Sequence, residues 1–194
     1  MPRLVDHDER RREFALAVWG IVAERGIEGV TLREVARAAN VSVGRVQHYY
    51  ATREELVRDS CRVMLEIAEE HLEGGVTGLG PGARLRALVL HAVPATTGLV
   101  RGTAVWTAYL AKSVDDPGIA DLVRESHRGA VDLAADSIQE ARAQGAMREG
   151  DAARDLALEL LALSEGYAAR VLTGSLTAEE AVAALERRLA IESP

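Results

Sequence analysis

The sequence predicts an all-α protein, and three observations carry that expectation. Alanine is abundant while prolines number 5 and aromatic residues make up 4%, a composition that favours helices throughout. Apolar residues recur at three- and four-residue spacings, as at Phe14, Val18, Ile21 and Val22, which is the stripe of an amphipathic helix. Gly, Asn and Pro punctuate these periodic stretches where helices would stop, and no convincing strand pattern or internal repeat intervenes.

Each element can be justified in turn. The first helix runs from about Asp8 to Arg25 and stops at Gly26. Thr31 then reads as an N-cap, with Glu34 three residues later to close a capping box. Leu32, Val35 and Ala36 form the inward face of this short second helix. Asn40 follows it, where a left-handed backbone suits Asn better than most residues. Ser42 caps a third helix from Val43 to about Tyr50.

From Arg53 a longer helix carries Leu56, Val57, Cys61, Met64, Leu65, Ala68 and Leu72, and ends in GGVTGLGPG. Ala83 to Ala92 is helical in character, Pro94 and Gly98 break or bend the path, and Leu99 to Val114 is the next helix. Asp115, Asp116 and Pro117 end it. Two long helices follow, about Gly118 to Ala143 and Asp151 to Leu172, and a last one starts at Thr177, whose partner Glu180 completes a second capping box, and runs to Leu189. About nine helices result, with a division of function near residue 50: 8–52 as one domain and 53–192 as the other.

Formal net charge is −7, so no overall basic field draws polyanions to the chain. The first 53 residues nevertheless hold nine arginines against seven carboxylates, leaving −9 for the remainder. Any nucleic-acid surface is therefore local and N-terminal. Cys61 is the sole cysteine, which precludes an intrachain disulfide and fits a reducing, cytoplasmic location. The opening MPRLVDHDER does not read as a signal peptide. Leu85 to Ala111 is interrupted by Arg86, His91, Pro94 and Arg101, so it lacks the roughly 20 uninterrupted apolar residues of a membrane span.

Two short helices joined by a tight turn suggest a helix-turn-helix. A recognition helix must pack one side on its neighbours and offer small and polar side chains to a major groove. Val46 and Tyr50 are four apart and make the packing side, while Val43, Arg45, Gln47 and His48 lie largely outside it. Gly44 keeps the helix slim. Arg45 suits guanine O6 and N7, Gln47 suits adenine or a phosphate, and Val43 suits a thymine methyl. The helix starts at Thr31 and Ser42 present backbone N–H groups to phosphates, Tyr49 and Arg53 complete the phosphate set, and Arg33 joins the DNA-binding residues. Single residues keep ordinary alternatives: Tyr49 can pack, His48 can be merely exposed, and Arg10, Arg11 and Arg12 read as well as a solvated run as a DNA-touching arm.

The stretch TLREVARAANVSVGRVQHYYATREEL, Thr31 to Leu56, resembles the TetR/AcrR family of transcriptional repressors. The likeness is dense over about 45 residues. Asn40 replaces the family's turn glycine, Gln47 a common tyrosine, Tyr50 the usual phenylalanine and Arg53 the usual lysine. The resemblance implies that Thr31, Tyr49 and Arg53 bind phosphates, that Val43, Arg45 and His48 approach bases, and that Val46 and Tyr50 are structural. It also implies a TetR-like architecture, a three-helix DNA-binding domain followed by a helical-bundle effector and dimerisation domain.

Two later stretches, LVRGTAVWTAYLAKSVDDPGIADL and LLALSEGYAARVLTGSLTAEEAVAALERRL, resemble the BetI-like branch of that family. The resemblance implies a homodimer formed through the last two long helices. Ala130, Ala134, Ala135 and Ala141 keep one of these thin, and Ala157, Leu160, Leu161, Ser164 and Ala168 make a small-and-leucine face on the other; an intermolecular bundle or an intramolecular core would use them equally. Trp106 and Tyr109 are the leading pocket candidates for a small-molecule effector, since large amphipathic rings are rare here. His91, Met64, His127, Glu165 and Tyr167 are further candidates, although Met64 and Trp106 also suit a core. Glu165, inside an apolar segment, could pair with a cation or hydrogen-bond across a dimer interface.

An enzyme is not expected. The five histidines, at 7, 48, 71, 91 and 127, show no H-x-x-x-H spacing, and there is neither a G-x-S-x-G elbow nor a phosphate-binding glycine loop. Cys61 reads as a buried structural thiol. No metal, cofactor or membrane is implied. The expected function is a ligand-responsive regulator, a repressor by resemblance, that binds palindromic double-stranded operator DNA as a homodimer. The competing reading is a helical protein-binding adaptor without sequence-specific DNA binding.

Overall fold

The structure, a computed structural model, describes residues 3–192. Among these the chain is helical, with one 3-10 turn at Ile27–Gly29 and no strand. The helices are α1 (Arg3–Arg25), α2 (Leu32–Ala38), α3 (Val43–Tyr49), α4 (Arg53–Val76), α5 (Pro81–His91), α6 (Thr97–Lys112), α7 (Pro117–Ala143), α8 (Ala153–Leu172) and α9 (Ala178–Ile191).

Local chemistry accounts for most boundaries. Thr31 accepts from the Glu34 amide at 3.1 Å and Ser42 from the Arg45 amide at 3.3 Å, so both expected caps form. The α2 box is only half closed, because the Glu34 carboxylate turns to Arg25 and Arg37 instead of back to the cap. Thr177 and Glu180 make the full reciprocal box. Asn40 sits at φ 54°, and the Val41 amide returns to the Ala36 carbonyl at 2.9 Å, which ends α2. Gly98 falls in the first turn of α6 and does not break it; Thr96 accepts from the Leu99 amide there. Pro81 starts α5 two residues before expectation, since its missing N–H costs nothing in a first turn.

The chain divides into two compact units. The first runs to Glu69 and takes in Ala104–Arg124; the second comprises Glu70–Thr103 and residues from Glu125 onward. In the first, α1 to α3 are too short to enclose a core alone. Residues 53–69 and 104–124 pack with them, and Phe14, Val18, Val46, Leu56, Tyr109 and Ile119 share one fully buried cluster. In the second, α5 packs on α8 and α9 around Leu85, Val89, Ile138, Leu160 and Leu185. Ala134, Ala135, Ala141, Ala157, Leu160, Ser164 and Ala168 are buried inside this unit of a single chain. Of the two roles open to these side chains, the intramolecular core is the one observed. Ser164 donates to the Val89 carbonyl, which ties α8 to α5.

Candidate nucleic-acid interface

The α3 helix has two unlike sides. Val46 is fully buried and Tyr50, its C-cap, is 6% exposed. Gly44, Arg45, Gln47 and His48 are exposed and Val43 is half-buried. Among the described residues the Arg45 guanidinium has no ion pair or hydrogen-bond partner. A Cβ placed on Gly44 would meet nothing within 4 Å, so nothing inside the protein demands glycine there. Thr31 and Arg33 are exposed at the start of α2, and Ser42 at the start of α3. Ser42, Arg45, His48 and Tyr49 border a shallow open depression.

Tyr49 combines both roles considered for it. Its half-buried ring lies edge-on to Phe14 at 5.4 Å and beside His7 at 4.9 Å. Its hydroxyl has no hydrogen-bond partner among the described residues. Arg53 is more committed. Its Nε donates to the Val30 carbonyl at 2.8 Å and one Nη to the Ile27 carbonyl at 2.7 Å, with Glu28 at 3.1 Å. It thereby clamps the 3-10 turn just ahead of Thr31 to the start of α4, a role that the local sequence did not signal.

Electrostatics around this surface are settled by a few pairs. Hydrogen bonds from Arg37 and then Arg25 hold Glu34 down to about 2. Burial acts to raise Asp59, but the Arg11 fork and the Tyr50 hydroxyl outweigh it and keep the carboxyl below the usual range. Burial pushes the Cys61 thiol up to about 12, as a structural cysteine requires. Arg11, read from sequence as part of the Arg10–Arg12 run, is bound to Asp59, a pairing the sequence does not signal because the two are 48 positions apart. A further cap carries the T-x-x-E signature: Thr52 accepts from the Glu55 amide at 3.1 Å, and Glu55 accepts from the Thr52 amide at 3.3 Å.

Residues 20–59 match the model for bacterial regulatory proteins of the tetR family, and residues 81–192 match the one for the BetI-type transcriptional repressor C-terminal domain. The chain belongs to the TetR family. It is 32% identical over 112 residues to the HTH-type transcriptional regulator PksA of Bacillus subtilis, spanning 57% of this chain and 55% of that relative's length. It is 30% identical over 130 residues to the HTH-type transcriptional regulator BetI of Burkholderia mallei, covering 66% of this chain and 67% of the relative. A transcriptional regulator from Saccharomonospora viridis, solved in complex with choline, shares the fold at a TM-score of 0.85 and 23% identity, over 93% of this chain and 95% of that one.

In this TetR-family chain the seven pocket candidates fall in both units. Met64 and Trp106 pack half-buried on the first core. Tyr109 is 0% exposed, and its hydroxyl lies 2.7 Å from Ser60 Oγ, which leaves no surface for a ligand to touch. His91, His127, Glu165 and Tyr167 belong to the second unit. His127 Nε2 is 3.5 Å from the Glu165 carboxylate, Tyr167 packs half-buried on the second core, and His91 is exposed at the end of α5. No described helix is long and apolar enough to cross a membrane.

Proposed function

We propose that this TetR-family regulator is a homodimeric repressor that reads a palindromic operator through α3 and is released by a small-molecule effector. The observation that carries the reading is the exposed face of α3, where Gly44, Arg45, Gln47 and His48 stand opposite the buried Val46 and Tyr50. An unpaired arginine suited to guanine, beside a glycine that the fold does not need, is what major-groove docking asks for. Thr31, Arg33, Ser42 and the Tyr49 hydroxyl would meet phosphates, as would Arg53 beyond its clamp on the turn before Thr31. Val43 and His48 would approach base edges with Gln47.

Two copies would place two α3 helices on successive grooves of one DNA face. Exposed α8 residues Leu158, Ala162 and Ala169 supply the surface for that pairing. The effector must bind the non-DNA conformation more tightly if it is to release the operator. The relative solved with choline makes a quaternary ammonium compound the first effector to test, by its thermal shift of the purified protein.

Selection from random duplex DNA tests the core of this reading. A palindromic motif is expected, with Arg45→Ala weakening binding to it by about 1–3 kcal/mol, a factor of about 5 to 150. Affinity should fall steeply with salt as counterions are released. Failure to enrich any sequence would sink the reading and favour a protein-binding adaptor.

A further inference from the structure

The Asp59 carboxylate on α4 gathers donors from two other elements. Arg11 of α1 gives Nε to Oδ2 at 3.0 Å and Nη2 to Oδ1 at 2.7 Å, a planar fork on a planar acceptor. Tyr50, the last residue of the recognition segment, donates its hydroxyl to Oδ2 at 2.7 Å. Arg62, on the next turn of α4, lies 3.8 Å from Oδ1. Asp59 is 16% exposed and Arg11 21%, so water competes weakly for these bonds.

The link between α3 and α4 is closed from its other side as well. Glu55 accepts from the amides of Ala51 at 2.8 Å and Thr52 at 3.3 Å. Tyr50 is therefore held by its side chain, and the two residues after it by their backbone. The chain has no loose joint between the exposed face of α3 and the axis of α4.

We propose that Asp59, Arg11 and Tyr50 are positioning residues for operator reading. They set the angle at which α3 stands on α1 and α4, so that Arg45, Gln47 and His48 reach base edges at the same time. This rests on the DNA-binding reading of α3; Asp59 and Tyr50 are assigned no contact with DNA, and Arg11, which the sequence also offered as part of a DNA-touching arm, gives its fork to Asp59. Base contacts demand side chains placed to within about 0.5 Å, and a recognition segment freed at its C-terminal end would no longer meet that tolerance.

The test uses the full chain with Tyr50→Phe and Asp59→Asn, titrated against the selected operator and against unrelated duplex at several salt concentrations. Circular dichroism fixes a temperature at which every variant is fully folded. Operator affinity should drop about tenfold or more, the scale of one lost hydrogen bond to a charged group. For Tyr50→Phe, which changes no charge, affinity for unrelated duplex and the salt slope should stay at wild-type values, because no phosphate contact is removed; for Asp59→Asn, which removes a negative charge, affinity for unrelated duplex should not fall. Folded variants that bind the operator like wild type would overturn the positioning role, as would a loss accompanied by a shallower salt slope.

Arg45→Ala, run alongside, separates the two ideas. If it weakens operator binding while Tyr50→Phe and Asp59→Asn do not, the positioning role alone fails. If no operator is recovered at all, or if Arg45→Ala binds like wild type, the reading of α3 fails and takes this proposal with it.

Discussion

Gly44 is a residue whose identity the fold does not explain and the proposed function does. It lies in the first turn of α3, where a Cβ would meet nothing within 4 Å. Alanine at such a site stabilises a helix by about 0.5–1 kcal/mol. Gly44→Ala is therefore expected to raise the unfolding midpoint while weakening operator binding, since the added methyl would stand on the exposed face proposed to meet DNA. Both quantities can be measured on one preparation, and a variant that binds as well as wild type would show that close backbone approach is not required. Arg53 teaches the opposite lesson. Placed from sequence among phosphate-binding residues, it spends much of its fork on the carbonyls of Ile27 and Val30.

Among the elements, the corner between α3 and α4 carries the most local information. Thr52 and Glu55 close a capping box there, and their neighbours Tyr50 and Arg53 are each tied to distant residues. Thr52→Ala removes the cap and should cost about 1 kcal/mol, read as a lower denaturant midpoint at unchanged slope. The α6–α7 corner has a comparable lock. Asp116 is 6% exposed, accepts from the amides of Gly118 and Ile119, and takes the Arg58 Nε at 2.8 Å. A Cβ on Gly118 would come 2.8 Å from that Nε, so a larger residue there would have to shift the Arg58 side chain off its pair with Asp116. This corner belongs to the first compact unit, and its Ile119 shares a buried cluster with Phe14 and Val46.

For the molecule as a whole, depressed carboxylates set the pH dependence. Glu34 is held down to about 2 from 4.5, and Asp59 and Asp116 lie below their ordinary 3.8. A group with a folded pKa below its unfolded one stabilises the fold above the unfolded value and loses that contribution as pH falls. Helix signal should therefore hold near neutral pH and decline as pH falls from about 4.5 toward 2. Asp59→Asn should flatten that decline, and an unchanged acid transition in the variant would show that its pairs matter little. Association belongs to this scale too. Leu158 is 49% exposed on α8, and Leu158→Glu should shift the protein toward monomer in light scattering, because it would place a charge in the proposed dimer surface.

The sequence by itself determined the helical class, the order of the elements and most of their ends. Those depend on neighbours: an apolar stripe every three or four residues, a Thr or Ser ahead of it, a Pro in a first turn, an Asn free to adopt φ 54°. It also pointed to the exposed face of α3, since Val46 and Tyr50 fix which side is buried. Tertiary structure decided which charges are already spent and which small residues face inward. Arg11 meets Asp59 across 48 positions and Arg53 meets Val30 across 23, while Arg45 keeps its guanidinium free of partners among the described residues. Ala134, Ala135 and Ala141 of α7, with Ala157 and Leu160 of α8, fill one chain's own core, while Ala130 is only half-buried. Helix periodicity shows that such a face is apolar, but what covers it depends on how distant segments of the chain pack together.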